Sequence, residues 1–219
     1  MGFARQGVAH HFYLDDINVE LSKHNHNLMK KLLFLALAGA ILPTSLCLAD
    51  ADKATLPAVI YDEAGSKLPF IPSGYMGNTG SIKMTDNDTS KPHEGKTDLK
   101  VEYTANDNWG GVVWQSPAND WGDQPGGWNL TGAKKLTFWA RGDKGGEEVS
   151  FSFGLIGKDK KYADSDKGET GKVKLTTDWK QFTIDLKDKD LSQVKTGFCW
   201  VLAGNGAPIT FYLDDVKFE

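Results

Sequence analysis

Short stretches in which apolar and polar residues alternate recur through residues 58–219, and none repeats apolar residues at the spacing of a helix. Clusters of Gly, Asn, Asp and Lys separate these stretches, as turns separate strands. The pattern predicts about nine or ten strands, at 58–61, 81–85, 99–103, 111–115, 136–141, 149–155, 172–175, 181–186, 197–202 and 211–219. Such spacing without helical connectors indicates an all-β fold, with two antiparallel sheets packed as a β-sandwich or jelly roll.

The last strand, residues 211–219, carries a carboxylate where its alternation predicts a core position. Asp214 shares one side of the strand with Tyr212, Val216 and Phe218. A carboxylate on an apolar side costs free energy unless a cation or several N–H donors satisfy it. We therefore expect Asp214 to point inward and to meet such a partner.

The phrase Phe-Tyr-Leu-Asp-Asp of this strand also occurs at residues 12–16, upstream of a possible second start. Met29 and two Lys precede an apolar run at 32–42, and small residues follow up to Ala49 and Ala51. This order predicts a secretory signal peptide, and the run is shorter than the about 20 residues of a membrane span. We expect an extension at 1–28 upstream of the true start at Met29, a signal peptide at 29–49, and a single domain at 50–219.

A signal peptide implies export to the periplasm or the extracellular space, with the signal peptide as the only contact with the membrane. A lipid anchor at Cys47 is the weaker alternative, because Leu46 stands where lipoprotein signals carry a small residue. Cys199 is then the only cysteine of the domain, and its apolar strand predicts a buried side chain.

The charge balance excludes one class of partner. The chain has 25 Lys and Arg against 29 Asp and Glu, a formal net charge of −4, and no basic stripe. A nucleic-acid partner is therefore not expected.

A tryptophan cluster at residues 109–128 is the strongest functional signal. Its four Trp are interleaved with Asn, Asp, Gln and Gly. An indole face can stack on a pyranose ring while amides and carboxylates bind its hydroxyls. Trp121 and Trp128 lie in turn-rich segments and are the expected exposed pair, Trp114 and Trp139 fit the core, and Trp109 fits either place.

Four acidic residues could hold a metal ion. Asp62 and Glu63 follow the first strand, Glu94 precedes the strand at 99–103, and Asp214 lies in the last strand. If the first and last strands meet, these residues can converge on Ca²⁺, which takes about six to eight oxygen ligands. For Glu94, a solvated loop carboxylate is the alternative.

Catalysis by paired carboxylates would need two acids that face each other across a cleft. Glu102, Glu147 and Glu148 are the glutamates near strands, and His93 is the only histidine of the predicted domain. No nucleophile and base arrangement with histidine is available, so we expect no enzyme activity.

Several motifs in a fixed order carry a resemblance to a known family: residues 99–104, 109–113, Trp121, 136–140, 179–184 and 212–216. In this order they resemble galactose-binding-like jelly-roll modules, most nearly the family 11 carbohydrate-binding modules and their relatives, which bind β-glucans. The resemblance covers nearly all of residues 56–219.

The resemblance implies a structural calcium near Asp214 and the acids Asp62 and Glu63. It also implies ring-stacking or hydrogen-bonding groups among Trp109, Trp121, Tyr162 and Asp164. Because such modules are usually appended to a catalytic domain, a partner enzyme is a further expected partner.

Together these observations predict an exported, non-catalytic module that binds a polysaccharide or oligosaccharide. Two alternatives remain open at this point. One is a periplasmic β-sandwich that binds another protein, and the other is a small jelly-roll glycoside hydrolase.

Overall fold

The computed structural model describes residues 51–63 and 69–219. The predictions for residues 1–28 and 29–49, Cys47 included, concern parts of the chain outside these ranges. In the described ranges no helix is both long and apolar enough to cross a membrane.

The described chain is built from strands and one short 3-10 helix, Thr79–Ser81. The strands are β1 (Asp52–Lys53), β2 (Ala58–Tyr61), β3 (Ile71–Gly77), β4 (Ile82–Asp88), β5 (Asp98–Tyr103), β6 (Trp109–Gln115), β7 (Trp128–Asn129), β8 (Lys135–Gly142), β9 (Glu148–Phe153), β10 (Gly168–Lys174), β11 (Lys180–Asp185), β12 (Thr196–Ala203) and β13 (Ile209–Phe218). The predicted all-β class is confirmed.

Two antiparallel sheets form the sandwich. One has five strands in the order β10-β9-β12-β6-β3. The other has the order β11-β8-β13-β5-β4, with β2 pairing to the second half of β13. The short strands β1 and β7 form a separate parallel pair.

Strand β3 was not predicted, because its sequence contains Pro72 and Gly74. Proline removes a backbone donor and glycine adds no packing side chain, so both weaken a strand signal. β3 is an edge strand of the five-stranded sheet, where such residues are tolerated.

Aromatic rings fill the space between the sheets. The ring of Phe138 on β8 lies 4.6 Å from Phe151 on β9 and 5.1 Å from Phe198 on β12, centroid to centroid. All three side chains are fully buried. Edge and offset contacts of this kind add stability beyond the area that they bury.

Because side chains alternate along a strand, each sheet also has a face turned away from this core. We call these the five-strand outer face and the six-strand outer face. Val112 and Trp114 of β6 belong to the core cluster, so Gly111 and Val113 lie on the five-strand outer face. Phe211 and Leu213 of β13 likewise belong to the core, so Tyr212 lies on the six-strand outer face.

The expectation that Asp214 shares a face with Val216 and Phe218 is wrong. A bulge interrupts the pairing of β13 with β8 between Asp214 and Lys217, and Asp215 there has a positive φ of 49°. A bulge inserts one residue and shifts the alternation. Val216 and Phe218 therefore join the core, whereas Asp214 lies on the six-strand outer face and is buried there.

Candidate functional site

The centre of the five-strand outer face is lined by small and apolar side chains. Ser152, Cys199, Val113 and Gly74 stand side by side across four neighbouring strands. Val113 and Cys199 are fully buried although they lie outside the core cluster. Burial also raises the pKa of the Cys199 thiol to about 12, as expected for an unreactive buried cysteine.

An exposed indole marks one end of this face. Trp109 begins β6 in phase with Gly111 and is 46% exposed. Its backbone N–H donates to Asn108 Oδ1 (2.8 Å), and its carbonyl accepts from Asn78 N (2.8 Å). Gly77, with a φ of 69°, lies against it, since a Cβ there would come within 2.9 Å of indole Cδ2. The backbone of Trp109 is thus fixed by hydrogen bonds, while about half of its side chain is exposed to solvent.

A pocket of about 170 Å³ lies beside Trp109 and is lined by apolar side chains together with the polar side chains of Glu148, Ser150 and Lys172. Ser150 and Lys172 are partners across β9 and β10, and Lys172 Nζ lies 3.4 Å from Glu148 Oε2. All three line the pocket together with Val201 of β12. The pocket therefore combines an indole with hydroxyl, ammonium and carboxylate groups.

A second exposed indole lies beyond the other end of β6. Trp121 is 36% exposed and lies in the loop 116–127. This loop is fastened to the sheet because Gln115 Nε2 donates to the carbonyl of Asp120 (2.7 Å) and Asn119 N donates to Ser73 Oγ (2.9 Å). Since the seven residues of β6 extend roughly 20 Å, Trp109 and the loop that carries Trp121 lie at opposite ends of this strand.

A buried ion pair sets the conformation of the loop 116–127. Lys195 Nζ hydrogen-bonds to Asp120 Oδ2 and to the carbonyl of Gln124 (2.5 Å), and both charged side chains are about 1% exposed. Burial alone would raise the pKa of Asp120, but hydrogen bonds from Lys195 and from backbone N–H groups hold it below its usual value. Asp120 therefore stays ionised, and the loop folds around it because the backbone N–H groups of residues 122–124 donate to its oxygens.

The loop 154–167 carries Tyr162 and Asp164 and lies against the Trp121 loop. Tyr162 N donates to the carbonyl of Gly122 (3.0 Å). Asp164 is 3% exposed, and its two oxygens accept hydrogen bonds from Ile156 N, Lys195 N and both Thr196 N and Oγ1. Burial raises the pKa of Asp164, and these donors oppose the rise. The carboxylate is turned into the protein, while Tyr162 is half-buried beside the Trp121 loop.

The predicted exposed pair Trp121 and Trp128 is not brought together on one surface. Trp128 is half-buried and packs on the core cluster. Its indole Nε1 donates to the carbonyl of Pro69 (2.8 Å) and to Ser116 Oγ (3.0 Å). Trp109, for which the sequence left both possibilities open, is the more exposed indole.

The loop 89–97 contains one predicted metal ligand, Glu94, and contacts two others, Glu63 and Asp214. Asp214 Oδ2 accepts from the backbone N–H of His93 (3.0 Å) and Glu94 (3.3 Å). Glu63 accepts from Lys96 N (2.6 Å) and Thr97 Oγ1 (3.0 Å). Burial and the neighbouring Asp215 raise the pKa of Asp214 to about 6, while those backbone donors oppose the rise. Asp62 accepts from the N–H of Glu63 (2.7 Å). One loop therefore contacts Glu63 and Asp214 and contributes Glu94.

Several residues of these surfaces have no distinctive sequence signal. Lys195 and Lys172 stand among many surface lysines, and Ser150 in an alternating strand resembles any solvent-facing position. Only the three-dimensional contacts separate them from their neighbours in the sequence.

Comparison with known proteins gives the family and the fold of the chain. The family model described as carbohydrate binding domain 30 matches residues 61–219. No curated protein matches the sequence significantly.

Three solved structures give the extent of the likeness. A family 30 carbohydrate-binding module of a cellulosomal cellulase of Clostridium thermocellum is 19% identical, with a TM-score of 0.54 over 75% of this chain and 98% of that one. Another family 30 module is 20% identical, with a TM-score of 0.52 over 75% and 88%. A family 11 module of a second cellulase of Clostridium thermocellum is 15% identical, with a TM-score of 0.47 over 75% and 95%. At these identities the likeness to the family 30 structures shows the fold, and the expected resemblance to carbohydrate-binding modules is confirmed.

Proposed function

Because the chain belongs to the family of carbohydrate binding domain 30, we propose that it binds a polysaccharide or oligosaccharide along the five-strand outer face. The family is one of carbohydrate-binding modules and not of catalytic domains. The observation that supports the placement is the exposure of two indoles, Trp109 at the start of β6 and Trp121 in the loop that follows this strand.

Each indole has a distinct role in this proposal. Trp109 stacks on one sugar ring next to the pocket that Ser150 and Lys172 line, where hydroxyl and charged groups bind sugar hydroxyls. Trp121 stacks on a second unit, with Tyr162 beside it. Asp164 acts indirectly, because its oxygens are occupied by the donors that shape its loop. Trp128 supports the base of the Trp121 loop through Ser116.

A β-glucan is the proposed ligand, and a panel of soluble glucans tests it by affinity electrophoresis. The wild-type chain should be retarded by at least one glucan. Trp109→Ala and Trp121→Ala should each weaken binding at least about tenfold, as expected for a central aromatic anchor.

Trp179→Ala is the matched control, because this indole contacts His93 on the six-strand outer face. It should leave retardation unchanged once circular dichroism has verified the fold. Wild-type retardation that survives in both Trp109→Ala and Trp121→Ala would contradict the placement. Retardation by none of the polysaccharides would favour the protein-binding alternative.

We further propose that the chain is exported, and that Asp62, Glu63, Glu94 and Asp214 surround a structural calcium. The segment 29–49 supports export, and amino-terminal sequencing of the exported chain tests the boundary after Ala49. The convergence of Glu63, Glu94 and Asp214 on one loop supports a hard cation there, since carboxylate oxygens suit Ca²⁺. Each oxygen of Glu63, and Oδ1 of Asp214, accepts one hydrogen bond and keeps a lone pair for a metal.

A further inference from the structure

A cluster of three metal-ligating side chains lies on the six-strand outer face, away from the proposed glycan surface. His93 Nδ1 is 2.8 Å from Asp215 Oδ2, and ligand atoms of His93, Glu94 and Asp215 all lie within 4.8 Å of one another. His93 and Asp215 are half-buried, and Glu94 is exposed. The cluster is therefore reachable from solvent.

The bulge in β13 separates the roles of the two adjacent aspartates. Asp214 turns to the backbone N–H groups of His93 and Glu94 and fixes the main chain there. Asp215, in its left-handed conformation, contacts the His93 ring instead. The Asp214 carboxylate therefore binds the backbone of the loop, whereas the Asp215 carboxylate contacts the His93 side chain.

Two tryptophans fix the orientation of the His93 ring. Trp139 stacks on it at 3.8 Å between centroids with an angle of 19°, and Trp179 meets its edge at 6.0 Å. Trp179 is itself anchored, because its Nε1 donates to the carbonyl of Lys91 (2.9 Å). Since the ring is already held, binding of an ion costs little additional side-chain entropy.

The cluster carries excess negative charge. Glu94, Asp214 and Asp215 lie together, and among the described residues no Lys or Arg comes within 4 Å of their carboxylates. His93 is the one basic side chain paired with them. A divalent cation would offset repulsion that the protein's own charges leave uncompensated.

We propose that His93 Nδ1, Glu94 and Asp215 bind a divalent transition-metal ion, with Zn²⁺ as the reference ion and water completing the coordination. An imidazole ligand favours Zn²⁺ over Ca²⁺, which takes oxygen ligands. Two ligands at zinc distances lie roughly 3.3 Å apart, so the observed 2.8 Å between His93 and Asp215 needs only a small adjustment. The site differs from the proposed calcium site in using His93 and Asp215.

Isothermal titration of the full chain with Zn²⁺ and separately with Ca²⁺, after treatment with chelator and buffer exchange, tests the proposal. Because His10, His11, His24 and His26 could also bind zinc, a variant with these four changed to Ala serves as the reference background. In that background Zn²⁺ should bind with one-to-one stoichiometry and raise the melting temperature.

Single changes in the reference background identify the ligands. His93→Ala and Asp215→Asn should each weaken Zn²⁺ binding at least about tenfold, because even outer-shell partners cost 10- to 100-fold. Asp178→Asn should leave the Zn²⁺ affinity unchanged, because Asp178 is an exposed acid in the loop before the edge strand β11 of the same sheet. The proposal fails if His93→Ala binds Zn²⁺ as tightly as the reference, or if Ca²⁺ binding depends on His93 to the same degree. Glucan retardation should be unchanged in all these variants.

Discussion

The Asp98 carboxyl group is fully buried, and among the residues that the structure describes neither of its oxygens meets an N–H or hydroxyl donor. The nearest cation is Arg141, whose Nη2 lies 3.7 Å away and whose guanidinium also lies over the Tyr212 ring. Asp88 is its partner across the β4–β5 pair. Burial and the Asp88 charge raise the pKa of Asp98 to about 7, although Arg141 opposes the rise.

This raised pKa gives Asp98 a defined effect on stability. The folded chain holds the Asp98 proton more tightly than the unfolded chain, whose aspartates titrate near pH 3.9. The stability associated with the protonated form is therefore complete below about pH 4 and is lost as pH rises through about 7. Asp98→Asn, which mimics the protonated form, should reduce the loss of unfolding free energy between pH 5 and pH 8 by on the order of 2 kcal/mol.

Urea denaturation of both proteins at several pH values measures this difference. Asp185→Asn, on the exposed edge strand β11, is a suitable control and should follow the wild-type pH profile. A parallel profile for Asp98→Asn and wild type would mean that Asp98 has an ordinary pKa in the folded chain.

The residue scale also shows where the sequence was sufficient and where it was not. The exposure of Trp121 was predicted because the residue lies in a turn-rich segment, and its side chain is 36% exposed. The role of Asp164 depends on four donors, three of them more than 30 residues away, which no local pattern encodes. Whether Asp214 shares a face with Val216 and Phe218 depends on the bulge between Asp214 and Lys217, and alternation alone cannot locate a bulge.

At the scale of elements, Lys195, which directly precedes β12, and Thr196, its first residue, bind the two loops next to Trp121 in the proposed site. Lys195 reaches Asp120 and Gln124 in the loop 116–127. The backbone N–H of Lys195, and both the N–H and the hydroxyl of Thr196, donate hydrogen bonds to Asp164 in the loop 154–167. Two adjacent residues thus connect two loops that lie far apart in sequence.

Lys195→Met should disturb this connection. Removing one partner of a buried ion pair leaves an uncompensated charge on Asp120 and costs about 3–5 kcal/mol. We expect a matching loss of unfolding free energy and at least about tenfold weaker glucan binding, because Trp121 loses its fixed loop. Affinity electrophoresis at a temperature where circular dichroism shows the variant folded measures the second effect.

Lys160→Met provides the control for this prediction. Lys160 Nζ pairs with Asp123 Oδ1 (3.2 Å) across the same two loops, but both side chains are exposed. An exposed pair contributes no more than about 1 kcal/mol, so this variant should keep both stability and affinity. If Lys195→Met binds glucan normally, or if its effect adds fully to that of Trp121→Ala, Lys195 does not act through Trp121.

Most strands were predictable because alternation and turn residues are local properties. The exceptions have physical reasons. β3 contains Pro72 and Gly74 at a sheet edge, and β1 and β7 are only two residues long, below the length at which alternation can be recognised. The strand order β10-β9-β12-β6-β3 joins segments distant in sequence, so it depended on the packing of the whole molecule.

At the scale of the whole molecule, the two outer faces carry different chemistry on one shared core. The five-strand outer face carries exposed indoles beside small and polar side chains. The six-strand outer face carries buried carboxylates, the Arg141 guanidinium and the loop 89–97. The core between them holds Phe138, Phe151 and Phe198, so changes on one face need not reach the other.

The proposed calcium gives a prediction that depends on this separation. A chelator should lower the melting temperature by about 5 °C or more if calcium binds only the folded chain at saturating concentration. Glucan affinity well below the melting temperature should stay within about twofold, because the acids belong to the other sheet. Restoring Ca²⁺ should restore the melting temperature.

Asp214→Asn separates this calcium from the zinc proposed at His93. The variant should lose the response to restored Ca²⁺, since a carboxylate ligand is replaced by a weaker neutral one. Its Zn²⁺ binding should change much less than that of Asp215→Asn, because His93 and Asp215 remain in place. If chelator leaves the melting temperature of the wild type unchanged, the proposal of a structural calcium near Asp214 is wrong. A restoration by Zn²⁺ but not by Ca²⁺ would assign the stabilising ion to His93, Glu94 and Asp215.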